Sequence, residues 1–125
     1  MKKRAFSVLL STVVTVAMVS PLLSKAYQTF GGQGHLAEAD LYVNNDFTSA
    51  SAYTENEIFG ATKIAVSLMA YNASGNIVAI DGVYYSPGRA EASLSDMSGV
   101  TRYKSIHGMY DWDGNYIISI TNNET

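Results

Sequence analysis

Three groups of residues have types and spacings that could do chemistry. Ser105 and His107 stand two apart in YKSIHGMY, so on a strand they share a face and can touch. With aspartates in the same chain, that pair suggests a serine hydrolase, in which His takes the proton of an attacking hydroxyl. Such a nucleophile needs a strained turn and an oxyanion hole, and no Gly-x-Ser-x-Gly occurs here. Ordinary polar-face neighbours account for the same two residues, and no catalytic residue is assigned. The second group is Asp111-Trp112-Asp113-Gly114-Asn115. A calcium loop of the EF-hand kind wants Gly at its sixth position and a Glu at its twelfth. Here Gly comes fourth and no Glu follows at that distance, so a tight hairpin explains the letters better. Asp111 and Asp113 stay a calcium candidate at the millimolar levels found outside cells. No cofactor is expected.

The third group is aromatic. All nine tyrosines follow residue 26, and the single tryptophan is Trp112. Tyr84 and Tyr85 are adjacent, so on a strand they point to opposite faces. Tyr103, Tyr110, Trp112 and Tyr116 gather around the last hairpin. Together with His107, these tyrosines and Trp112 are the candidate binding residues, because flat amphipathic rings suit contact with a partner or a glycan. The competing account is that they cover a small core and pair across strands.

The elements that must position these groups are read from periodicity. Thr62 to Tyr71 alternates Ile64, Val66, Leu68 and Ala70 with Lys63, Ser67 and Met69. Ile77 to Tyr85 alternates likewise, and Asn72-Ala73-Ser74-Gly75-Asn76 between them is turn chemistry. That predicts a β-hairpin, taken as the central pair of an antiparallel sheet. Further strands are expected at Leu36–Val43, Phe47–Thr54, Ala90–Ser95, Val100–Tyr110 and Tyr116–Thr121, with Glu55 to Gly60 a polar connection. Ser86-Pro87-Gly88-Arg89 has the form of a type II turn. Residues 27–35, with three glycines and no periodicity, are expected to be a flexible lead-in that pairs at most at an edge near Phe30. The fold expected for residues 36–125 is therefore all-β, a small antiparallel sandwich of about six to seven short strands.

In front of it stands an address. Lys2, Lys3 and Arg4 precede an uncharged run from Ala5 to Leu23, and Ser24-Lys25-Ala26 offers small residues at the positions signal peptidase accepts. Residues 1–26 are thus expected to be a cleavable signal helix, which places the protein outside the cell and at the membrane only in transit. Cleavage after Ala26 leaves 99 residues in which Lys63, Arg89, Arg102 and Lys104 face eleven acids, a net charge of −7. So few cations rule against nucleic acid and anionic lipid as partners. With no cysteine there is no thiol catalysis, thiolate metal site or disulfide, and stability rests on burial and β-hydrogen bonding.

The signal sequence, LYVNNDFTSASAYT, YNASGN and YKSIHGMYDWDGNY together resemble small cysteine-free proteins secreted by Gram-positive bacteria. More distantly they resemble lactococcin-type bacteriocins with a β-sandwich mature domain. The residues carrying the likeness are Thr48 to Ala52 and Ser105 to Trp112. Known bacteriocins of that kind are shorter and more basic than this chain. The resemblance implies secretion and a sandwich, and it implies no catalytic residues. The expected function is a secreted, non-enzymatic protein, bacteriocin-like, that binds a cell-envelope component or extracellular protein through its Tyr/Trp-rich surface. An adhesion or accessory module joining its partner by strand addition is the alternative, and a small hydrolase or inhibitor the third.

Overall fold

The structure, a computed structural model, describes residues 23–125, with side chains from Ala26 onward. Nine strands follow in order: β1 Leu23–Lys25, β2 Gln28–Gly32, β3 His35–Asn44, β4 Ala50–Asn56, β5 Lys63–Asn72, β6 Ile77–Ser86, β7 Arg89–Leu94, β8 Val100–Tyr110 and β9 Tyr116–Glu124. They form two antiparallel sheets, and among the described residues there is no helix. In the first sheet β3, β4 and β7 are neighbours, and β1 and β2 both pair along the free side of β3. The second runs β6-β5-β8-β9. The leader helix expected within residues 1–26 lies outside the described residues up to residue 22.

Two strands exceed the expected seven, and both lie where a leader and lead-in were expected. Gln28–Gly32 turns at Gln33 and Gly34, both with positive φ, and pairs with His35–Ala39. Phe30 supplies the reason, because its ring enters the core. Leu23–Lys25 continues along Tyr42–Asn44, so cutting after Ala26 would remove β1 from the first sheet.

The sheets meet through complementary inner faces. Alternation in β3, β4 and β7 turns Ala37, Ala39, Leu41, Val43, Ala50, Ala52, Ala90 and Ala92 inward, a face built mostly of alanine. Opposite it, β5 and β8 present Ile64, Val66, Leu68, Tyr103 and Met109. Small against large lets the layers interdigitate, and each buried Leu, Ile or Val contributes roughly 1.5–3 kcal/mol.

Within the second sheet, β5 is central but β6 is an edge strand, which corrects the expected central pair. Its pairing with β5 slips twice. Val66 lies opposite Tyr84 while Leu68 lies opposite Asp81, and Ala70 opposite Ala79 is followed by Tyr71 opposite Ile77. Each slip is a bulge that adds one residue to β6 and turns the strand.

Two further differences have local causes. The second expected strand starts at Ala50 rather than Phe47, because Phe47 takes a left-handed φ of 61° and packs its ring 5.9 Å from Tyr103. Ser86-Pro87-Gly88-Arg89 is not a type II turn, since Gly88 is absent from the positive-φ glycines. Gly88 is needed for space instead, as the Phe59 ring lies where a Cβ would go.

Candidate functional site

Antiparallel order brings the ends of β4, β6 and β8 and the starts of β5, β7 and β9 to one end of the sandwich. There the outer face of the second sheet carries a row of small residues. Tyr85 lies opposite Ala65, Ala65 opposite Gly108 and Gly108 opposite Ser119. The Tyr110 ring lies over Gly108, where an added Cβ would stand 3.0 Å from Cε1. It meets Tyr85 edge-to-face at 5.5 Å and Tyr116 at 5.9 Å. The Tyr116 hydroxyl lies 3.2 Å from Ser119 Oγ. The result is a band of three tyrosines reaching from β6 to β9, with Tyr85 60% and Tyr116 59% exposed. Burial first, then the neighbouring Tyr85, raises the Tyr110 phenol above its ordinary pKa, so Tyr110 stays neutral at physiological pH.

Beyond the band stand the loops. Ile58 O accepts from Ala61 N, and Gly60 at φ 79° completes a type II turn with Phe59 at its apex. This loop is pinned from every side. Gly60 N donates to Pro87 O, and Trp112 Nε1 donates to Gly60 O at 2.9 Å. Buried Asn56 donates to Thr62 O and Pro87 O, and Thr62 Oγ1 donates back to Asn56 Oδ1. Lys63 Nζ sits 5.6 Å from the Trp112 ring centre. A loop held this firmly keeps Ile58 70% and Phe59 81% exposed, although burying either would be favourable. The polar loop expected at Glu55–Gly60 hid this pair. An Ile-Phe step ending at a turn glycine is the signal that could have found it.

The other candidates fall elsewhere. Tyr84 points away from the band, toward the first sheet, and donates to Asp81. Tyr103 and His107 are both 0% exposed and leave the surface group, because β8 turns them to the inner face. Tyr103 donates from its hydroxyl to Phe47 O at 2.8 Å. Burial raises its pKa to about 12.

His107 is the centre of a buried hydrogen-bonded chain joining the two sheets. Thr54 Oγ1 donates to Ala65 O, so its oxygen accepts from His107 Nδ1–H at 2.9 Å. Nε2 is then bare and accepts from Ser105 Oγ at 2.7 Å, with Asn122 Nδ2 at 3.4 Å. Gln28 donates to Asn122 Oδ1 and carries the chain to β2. Burial lowers the His107 pKa to about 4, against a smaller upward pull from the Tyr53 backbone. Ser105 and His107 do touch, as their spacing suggested, but both are sealed from solvent.

Asp111 accepts from Asp113 N, Asn115 N and Asn115 Nδ2, so its carboxylate closes the hairpin loop. Those bonds, led by the Asn115 amide, lower its pKa. Among the described residues no three His, Asp or Glu side chains gather as a metal site would require. No protein-family model, curated protein or solved structure matches this chain.

Proposed function

We propose that this protein is a secreted, non-enzymatic binding domain that meets a cell-envelope or extracellular target with its aromatic end. The carrying observation is the rigid presentation of Ile58 and Phe59 beside Trp112 and the Tyr85–Tyr110–Tyr116 band. Exposed apolar side chains on a loop fixed by buried hydrogen bonds are the makings of a binding surface, since little ordering entropy is left to lose on contact. Aromatic rings clustered about one centre are the residue types that dominate binding energy.

Co-sedimentation of the purified protein with Gram-positive cell envelopes tests this. Wild type pellets with the envelopes and a Phe59→Ser/Trp112→Ser double variant stays in solution with an unchanged fold. Wild type remaining in solution, or the variant pelleting equally, would sink the proposal. Growth inhibition of related strains in the same samples separates a bacteriocin-like role from simple attachment.

A second reading, strand addition, draws support from β6, an edge whose only charge is Asp81 and whose Ile77, Val78, Ile80 and Val83 are exposed. Its two bulges interrupt the ladder a new strand would extend, which places it behind the aromatic end. Concentration-dependent light scattering tests it.

A further inference from the structure

On the flank of the sandwich, where β6 lies against β7, a cleft of about 340 Å³ opens to solvent. Its floor is a register row. Tyr42 lies opposite Ser51 and Ser51 opposite Ser93. Ser93 N donates to Asp81 Oδ2 at 2.7 Å, which extends the row to β6. Small hydroxyl side chains in the middle and large ones at the sides make a trough. Tyr42 and Tyr53, stacked at 6.3 Å, form one wall, and Tyr84 and Asp81 form the other. Glu91 and Arg89 close one end.

The second wall owes its shape to a bulge. Residues three apart on a regular strand face opposite sides. The extra residue near Gly82 and Val83 brings Asp81 and Tyr84 to the same side, where the Tyr84 hydroxyl donates to Asp81 Oδ1 at 2.6 Å. Bulges recur where a side chain must be re-aimed toward a site. The walls are fixed in advance, with both Asp81 oxygens engaged and Tyr53 held under the Arg89 guanidinium at 3.9 Å.

We infer that this cleft is a binding site for a neutral sugar, one or two pyranose rings of a glycan. The exposed Tyr84 ring receives the C–H face of a pyranose, and Ser51, Ser93, Asp81 and Glu91 supply hydroxyl and carboxylate oxygens to its hydroxyls. Charge narrows the class. Asp81, Glu91 and the nearby Asp40, opposite Tyr53, and Glu55, opposite Arg89, outnumber Arg89, so an anionic ligand is repelled. Arg89 pairs with Glu55 and Glu91 while covering Tyr53, so the cation place over that ring is already filled. A ligand without charge and rich in hydroxyls remains. The inference is independent of the aromatic end, since Tyr85, Tyr110, Tyr116 and Trp112 take no part in the cleft.

The test is an NMR titration of the protein with cellotriose, chitotriose and maltotriose, with choline and inorganic phosphate as the charged probes. Saturable shifts of the Ser51, Asp81, Tyr84, Glu91 and Ser93 amides by at least one sugar, and by neither charged probe, are expected. Ser51→Trp, which fills an exposed floor position, abolishes the shifts, and Tyr84→Ala weakens binding about tenfold or more. Phe59→Ser/Trp112→Ser leaves them unchanged. No saturable binding of any of the three sugars, equal shifts with choline or phosphate, or full binding by folded Ser51→Trp would each overturn the assignment.

Discussion

The two ends of this sandwich are closed by the same hairpin loop and differ in everything attached to it. At one end Asn72 Oδ1 accepts from Ser74 N and Asn76 N, Gly75 N donates to Asn72 O, and Gly75 has φ 83°. At the other, Asp111 Oδ1 accepts from Asp113 N and Asn115 N, Gly114 N donates to Asp111 O, and Gly114 has φ 88°. An uncharged Asn accepts in the first loop the same two backbone bonds that Asp111 Oδ1 accepts in the second, where Asn115 Nδ2 also engages Oδ2. The first loop carries Ala73 and Ser74 into solvent, while the second carries Trp112, bonded to the neighbouring loop. The two loops thus differ in what the same turn presents.

A third loop, at the same end as Asn72, sharpens the point. Phe47 N donates to Asn44 O and takes φ 61°, the place filled by Gly75 and Gly114 in the other two. A bulky residue rarely adopts that conformation. It is held because the ring packs on Tyr103 and the Phe47 carbonyl accepts the Tyr103 hydroxyl. Each end therefore has a loop tied by one aromatic donor, from inside by Tyr103 and from outside by Trp112.

That pairing can be broken in graded steps. Tyr103→Ala should cost about 3–5 kcal/mol in denaturant unfolding, as a large core ring is lost. Tyr103→Phe keeps the ring and loses only the Phe47 bond, about 1 kcal/mol. A Tyr103→Phe cost equal to that of Ala would mean that the bond, not the packing, holds that end.

Between the ends, His107 sets the response to acid. Its folded pKa of about 4 lies below the free value of 6.5, so the unfolded chain takes up the proton first. Its contribution is complete above pH 6.5 and is lost as pH falls toward 4, about 3 kcal/mol in all. Unfolding followed across that range in wild type and His107→Gln checks this, and the variant should lack the decline. The carboxyls of Asp46 and Asp111, lowered mainly by the hydrogen bonds they accept, act at the acid end of this range and beyond it.

Smaller effects test the likeness of the two hairpins. Asn72→Ala should cost about 1 kcal/mol. Asp111→Ala should lower the thermal midpoint to a similar extent. Asp111→Asn keeps the two backbone bonds to Oδ1 and gives up the Asn115 Nδ2 bond, so it should lower the midpoint less than Asp111→Ala. A calcium-dependent midpoint in wild type that the Asn variant lacks would return a metal role to this loop.

Much of the fold was legible because period two is a local signal. The inner face of β3, the hairpin at Asn72–Asn76, and the strands at Arg89–Leu94 and Val100–Tyr110 all follow from alternation. The aromatic end was half legible. Tyr85, Tyr110 and Tyr116 do come together and Trp112 ties the loop at the same end, whereas Tyr103 and His107 go to the core and Ile58 and Phe59 were unseen.

What the sequence by itself determined is which residues share a strand face, since that depends only on neighbours one and two positions away. Which face is covered was decided by the partner sheet: its alanines make room for Tyr103, and its Thr54 engages His107. The bulge that sets Tyr84 beside Asp81 likewise arises from pairing with β5 and appears in no alternation pattern. Burial and register depend on residues far apart in the chain, so only the assembled sandwich could settle them.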